Sequence, residues 1–281
     1  FWGPYMPSLI GHRGYDIDRV ASQMFITGEG IFGTPMAVMT TFVFAFIVFG
    51  CFLEVTGGAK LFIDLAFAIT GRFAGGPAKT AVVASGLLGT ISGSSLANVV
   101  TTGSFTIPLM KSCGYRPSFA GGVEASASSA GQIMPPVMGA AAFIMSEMTG
   151  IPYLSICLSA AIPAVLYYVS VLLSVDLEAR RTNLKTVNKE DIPPLWGTTK
   201  RCLPLLLPIV TLVGLLVVGY TPLKAALYAT IVMVIGSFFS RETRMTKDRF
   251  YEAFTKSSYN SVSVCVACAV CGIVTGVITL T

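Results

Sequence analysis

Charge is scarce in this chain. Of its 281 residues only 12% are charged while 53% are hydrophobic, and the mean hydropathy is +0.73. A soluble domain carries about a quarter of its residues as charges on a solvated surface, so this chain is not one, and most of its solvent is lipid. Histidine is nearly missing, with His12 the single example. A serine nucleophile needs a base within hydrogen-bond reach, and a hydrolase built here would have only His12 to use. Cysteine comes in an odd number, 7, and mostly inside apolar runs, so no disulfide framework is suggested. Cys265, Cys268 and Cys271 make a C-x-x-C-x-x-C pattern like part of an iron–sulfur signature, but in an apolar helical run cysteine acts as a small packing residue. The first apolar run starts only near Pro35 and has neither the position nor the short h-region of a cleaved signal peptide. The net charge of +5 reflects loop asymmetry and does not imply nucleic acid as a partner.

Long apolar runs are abundant. A spanning helix needs about 20 such residues; Pro35 to Val55, Ile151 to Val175, Leu203 to Gly219, Leu223 to Phe239 and Asn260 onward are read as meeting that test, so at least five spans are expected. Arg180, Arg181, Lys185, Lys189, Lys200 and Arg201 fill one loop, and Arg241, Arg244, Lys247 and Arg249 another, so the positive-inside rule puts both in the cytoplasm. Residues 1–32 read as an external linker or surface segment. Lys60 to Arg72 and Thr246 to Ser258 read as interfacial helices along the cytoplasmic face, or as helices docked on a loop.

Between Gly75 and Gly150 the apolar pattern is interleaved with Gly, Ser, Thr and Asn. Ala78 to Ile91 would reach only about 21 Å as a helix, too short to cross a bilayer. It is followed by Ser92–Ser95 and a second arm from Leu96 to Met110, so residues 78–110 are expected to form a re-entrant helical hairpin. Residues 118–148 are expected to be one helix broken at Gly131–Pro136, with its second half starting at Pro136, a favoured first helical position. Irregular backbone at membrane depth is tolerated only where protein buries it or it lines a wet cavity. Paired broken elements are how secondary transporters build substrate and ion sites, although small residues and prolines also serve plain helix packing.

Ser92, Ser94 and Asn98 offer hydroxyl and amide oxygens suited to a hard cation such as Na+; capping of the hairpin arms would use the same groups. Glu124 is an acid within the broken helix and a candidate proton site or cation partner, whereas Glu147 sits at its external end. Gly89–Gly93 distantly resembles the serine turn of intramembrane proteases, the remote enzymatic alternative.

The stretch GTISGSSLANVVTTGSFTIPLM (Gly89 to Met110) followed by GYRPSFAGGVEASASSAGQIMPP (Gly114 to Pro136) resembles the large membrane permease subunit of the tripartite ATP-independent periplasmic (TRAP) transporters. The second part is most similar to the branch with fused membrane subunits and a TAXI-type binding protein. The resemblance runs from about Gly28 onward and implies an all-α polytopic elevator transporter of two inverted repeats in a bacterial or archaeal inner membrane. It also implies a sodium gradient as driving force, a small carboxylate-type solute, a periplasmic solute-binding protein, and a small four-helix subunit, separate or fused upstream. No cofactor beyond the coupling Na+ is implied. The site residues carried over are Ser92, Gly93, Ser94, Ser95 and Asn98 at the tip, and Gly131, Gln132, Met134 and Pro135 at the break, with Na+ at Ser92, Ser94 and Asn98. The expected organisation is a first repeat over 33–175, including a span at 151–175, then a cytoplasmic loop over 176–202 and two spans over 203–239. An amphipathic helix and the start of a truncated second repeat would occupy 246–281. Such a first-half fragment would not transport alone. The main alternative is a proton-coupled inverted-repeat carrier without a binding protein, resting on Glu124.

Overall fold

The computed structural model describes residues 3–5, 7, 11, 14–182, 192–238 and 243–280, and among these helix is the only regular structure. Helix α1 (Ile17–Phe25) precedes a rod over Thr34–Val55 made of α2 (Thr34–Val38), a π turn at Met39–Val43 and α3 (Phe44–Val55). Thr40 and Thr41 bond back to the Ala37 carbonyl at 3.0 and 2.8 Å at that turn. Such side-chain bonds compete with the regular ladder and accompany its local rewinding. The chain then forms α4 (Gly58–Thr70), α5 (Gly76–Ser92), α6 (Ser95–Ser112), α7 (Pro117–Ser129), α8 (Ala140–Thr149), α9 (Tyr153–Arg181), α10 (Leu195–Val217), α11 (Pro222–Ser237) and α12 (Lys247–Leu280).

The chain is an all-α polytopic membrane protein. Thr34–Val55, Tyr153–Arg181 and Lys247–Leu280 are long and apolar enough to span, and the bent α10 makes a fourth if its two arms count as one. Helix α11, with 16 residues, falls just short of that length, so by length and composition three or four spans are found among the described residues instead of the five expected. Rows of exposed apolar side chains, such as Leu158, Ile162, Val165, Val169 and Leu173 on α9, fit lipid or neighbouring protein better than water.

Two cores hold the helices. Around α3, Phe46, Phe49, Phe52 and Leu53 pack with residues of α8 and α10–α12. Around α5–α7 and α9, Ala78, Ala81, Ala120, Ala127 and Ala130 pack with Val82, Tyr168 and Val175. Lys79 at the start of α5 pairs with Asp176 near the end of α9 at 2.5 Å, and Arg180 holds the same carboxylate at 2.7 Å. Helix α12 passes close beside the N-terminal segment. A Cβ on Gly272 would lie 2.4 Å from the Gly30 carbonyl oxygen, and one on Gly276 2.5 Å from that of Glu29. The Tyr15 hydroxyl donates to the Leu280 carbonyl.

Where the re-entrant hairpin is expected, α5 and α6 run antiparallel with the break at Gly93–Ser94. Four expectations need correction. The second half of the broken helix starts at Ala140 instead of Pro136, because Val137 and Gly139 give their N–H groups to Thr90 and Gln132 and Met138 has φ +51. Residues 176–181 continue α9, where Arg180 bonds Asp176 one turn back, and 195–202 already belong to α10, so the expected loop over 176–202 is shorter. Helix α10 thus begins before Leu203, and its two arms meet at 54° around Pro204. Residues 247–280 form one helix, not an interfacial helix followed by a span; no Gly or Pro interrupts Ser258–Ser263, and Ser257 and Ser261 bond back into the helix. The segment at Lys60–Arg72 appears as α4, docked on protein through Leu61, Phe62, Ala66 and Phe67. His12, Lys185, Lys189 and Arg241 lie outside the described residues.

Candidate functional site

Gly93 turns the hairpin. Its φ is +57, in the left-handed region that glycine alone occupies without strain. A side chain there would also strike the Met138 carbonyl, since a Cβ would lie 2.0 Å from that oxygen. Ser94 is extended and caps α6, its hydroxyl accepting the Ala97 N–H at 3.3 Å. Ser92 donates to the Ser94 carbonyl at 3.5 Å. One turn into α6, Asn98 is buried and its amide donates to the Ser85 carbonyl at 2.9 Å, which ties the two arms together. Its Oδ1 is buried with no partner.

The break lies against this tip. A 3-10 turn over Ala130–Ile133 ends α7, Met134 is extended, and the Pro135–Pro136 peptide bond is cis. The Gly139 N–H reaches the Gln132 carbonyl at 2.8 Å and the Val137 N–H reaches Thr90 at 3.3 Å. The Gln132 amide donates to the Ser95 hydroxyl at 2.9 Å. Gly89 and Gly131 touch backbone to backbone, since a Cβ on Gly89 would come within 2.6 Å of the Gly131 Cα. The Tyr153 hydroxyl reaches the carbonyls of Pro136 and Val137 at 2.7 and 2.8 Å. Thus Ser92, Gly93, Ser94, Ser95, Asn98, Gly131 and Gln132 gather in one assembly. Met134 instead packs on the core of the hairpin body, and neither it nor Pro135 lines the cavities beside the tip.

Two cavities adjoin the tip among the described residues. One of about 20 Å³ is bordered by Asn98, Ser92, Gly50, Glu54 and Thr101; it has room for a single water or ion. The other, about 350 Å³, runs from Ser92–Ser94 and Val137–Gly139 to Glu54, Lys256 and Asn260. Glu54 accepts from Lys256 at 2.6 Å and from Thr101 at 3.0 Å. Sequence reasoning missed Glu54 and Thr101 and placed Lys256 at the membrane surface. The available signal was Glu54 itself, the one acid in the run from Pro35 to Val55, since ionisable groups in spans are functional candidates by default.

Glu124 is fully buried on α7. Its Oε1 accepts from Ser85 at 3.2 Å, from Ser128 at 3.0 Å and from Thr102, and its Oε2 from Thr106 at 2.5 Å. No cation pairs with it among the described residues, and it borders neither cavity. Its carboxyl fastens both hairpin arms to α7. Glu147 is exposed at the end of α8.

The family model for "Tripartite ATP-independent periplasmic transporter, DctM component" matches residues 6–281. The chain belongs to this family. Among curated relatives, a C4-dicarboxylate TRAP transporter large permease protein DctM of Vibrio cholerae is 31% identical over 83% of this chain and 50% of its own length. Its counterpart in Pseudomonas aeruginosa is 28% identical over 72% of this chain and 47% of its own. An isethionate TRAP transporter permease protein DctMQ of Oleidesulfovibrio alaskensis is 27% identical over 98% of this chain and 42% of its own. The chain spans about half the length of the curated relatives it matches. A DctM component is a transporter permease and not an enzyme, so the intramembrane hydrolase alternative is set aside.

Proposed function

We propose that this chain forms the first repeat of the transport core of a sodium-coupled TRAP permease in a bacterial or archaeal inner membrane. The solute is a small organic anion, carboxylate or sulfonate, delivered by a periplasmic binding protein. A small four-helix subunit, separate or fused upstream as in the TAXI-type branch, completes the assembly, and the repeat works by an elevator movement. The observation that carries the ion reading is the buried Oδ1 of Asn98, left without a partner at the edge of a cavity of about 20 Å³. A buried polar atom without a partner is costly, and a hard cation seeks such oxygens. Ser92 borders the same cavity; Ser94, one turn before Asn98, spends one hydroxyl lone pair on its cap and keeps a second. The names of relatives that refer to C4-dicarboxylates and isethionate support the solute class. The proton-coupled alternative rests on Glu124, whose hydroxyl partners and distance from the cavities favour a fastening role.

The test is uptake of succinate and isethionate into proteoliposomes that contain the complete permease, with and without binding protein and an inward sodium gradient. Uptake that requires both is expected. Uptake that needs neither, or that follows a pH gradient, overturns the reading.

A further inference from the structure

Among the described residues that line the cavity of about 350 Å³, Lys256 is the one cation and Glu54 the one carboxylate. Helix α12 presents Lys256, Asn260 and Ser263 to this cavity from a single face, at spacings of four and three residues. Lys256 stands nine residues past Lys247, roughly 13 Å along the helix. It is therefore a lysine carried inward on a helix that continues into an apolar span. Its ammonium has three donors, and Glu54 is the acceptor seen for one of them. The neighbouring Asn260 gives its amide to the Cys51 sulfur at 3.3 Å, a weak acceptor. Across the cavity stand the tip and the first turn of α6. An ion pair with side-chain exposures of 39% for Lys256 and 19% for Glu54 adds little to stability on its own. Stability alone therefore does not account for the lysine in this wall.

We propose that Lys256 is the anion-recognition residue of this cavity. Its ammonium receives the carboxylate or sulfonate head of the solute, with the Asn260 amide beside it. Glu54 holds the ammonium in place in the empty cavity and competes with the solute for it. This assignment rests on the transport reading above and names the residue that selects for negative charge.

The experiment is equilibrium binding of radiolabelled succinate and isethionate to the purified complete permease in saturating sodium. Lys256→Met is expected to weaken binding about tenfold or more, the loss of a charge-assisted hydrogen bond, and Lys256→Arg to restore most of it. Glu54→Gln is expected to tighten binding, because it removes the competitor. That opposite movement separates recognition from a purely structural ion pair, in which both substitutions would lower melting temperature and leave affinity alone. Should Lys256→Met fail to assemble, the double variant Lys256→Met with Glu54→Gln removes both charges together and is expected to bind as weakly. Unchanged affinity in the lysine variants, or a Glu54→Gln protein that binds more weakly, overturns the assignment. A parent permease that binds neither anion also overturns it, and the uptake experiment then reports on the transport reading by itself.

Discussion

The core around α3 and the core around α5–α7 are built of different material. The first is filled by Phe46, Phe49, Phe52 and Leu53; the second by alanines, with Ser85, Thr102, Thr106, Glu124 and Ser128 buried among the helices it joins. Lipid tails are as apolar as leucine, so helices in a membrane gain little by hiding large apolar groups from lipid. Small residues let backbones approach, and hydrogen bonds then hold the register. The aromatic core fills volume and also seats Ile91, Val137 and Met138 beside the tip and the break, whereas the small-residue core sets the close spacing of α5, α6 and α7 and holds Ala130 and Met134 of the break.

Gly89→Val tests this contrast most severely. Its side chain would push Gly131 away, and because small displacements of a positioned site can cost about a hundredfold, uptake by the complete permease should fall by about that factor. Normal uptake would end the idea that backbone contact sets the site. Asn98→Ala should raise the sodium concentration for half-maximal uptake about tenfold, the order expected for losing one charge-assisted ligand; Ser94→Ala should do so by less. Sodium titrations that match the parent for both variants would remove the tip as an ion ligand. Glu124→Gln should lower stability by about 1 kcal/mol, as the loss of one hydrogen bond among several would, while sodium coupling stays intact. A coupling that switches or disappears would return Glu124 to a proton role. Phe49→Ala should cost about 3 kcal/mol of stability and leave the sodium titration and solute affinity alone, since the loss falls in the volume-filling core. A shifted titration there would show that the two cores are not separate in function. Lys79→Met should have the smallest effect, sensitive to salt and read as a small change in melting temperature.

The hairpin and the break were legible because their causes are local. Gly93 and the serines around it end one helix and start the next, and Gly131 with Pro135 and Pro136 disrupts α7 wherever it is placed. The start of α8 was not legible, because it depends on Thr90 and Gln132 capturing the N–H groups of Val137 and Gly139. Lys256 looked interfacial because its sequence neighbours Asp248, Arg249 and Glu252 are charged. Its ion pair with Glu54 joins residues 202 positions apart, and local spacing carries no trace of such a partner. The hydroxyls around Glu124 were individually unremarkable in sequence, and only the packing of α5, α6 and α7 brings them to one carboxyl.

The seat that Gly272 and Gly276 provide for Glu29 and Gly30 also sets an order of events in biosynthesis. Together with the bond from Tyr15 to Leu280 it closes a loop across 265 residues, and contacts so distant in sequence form late as a chain emerges from the ribosome. The segment leading into the first rod therefore waits, with its final seat unmade, until the last described helix has been synthesised.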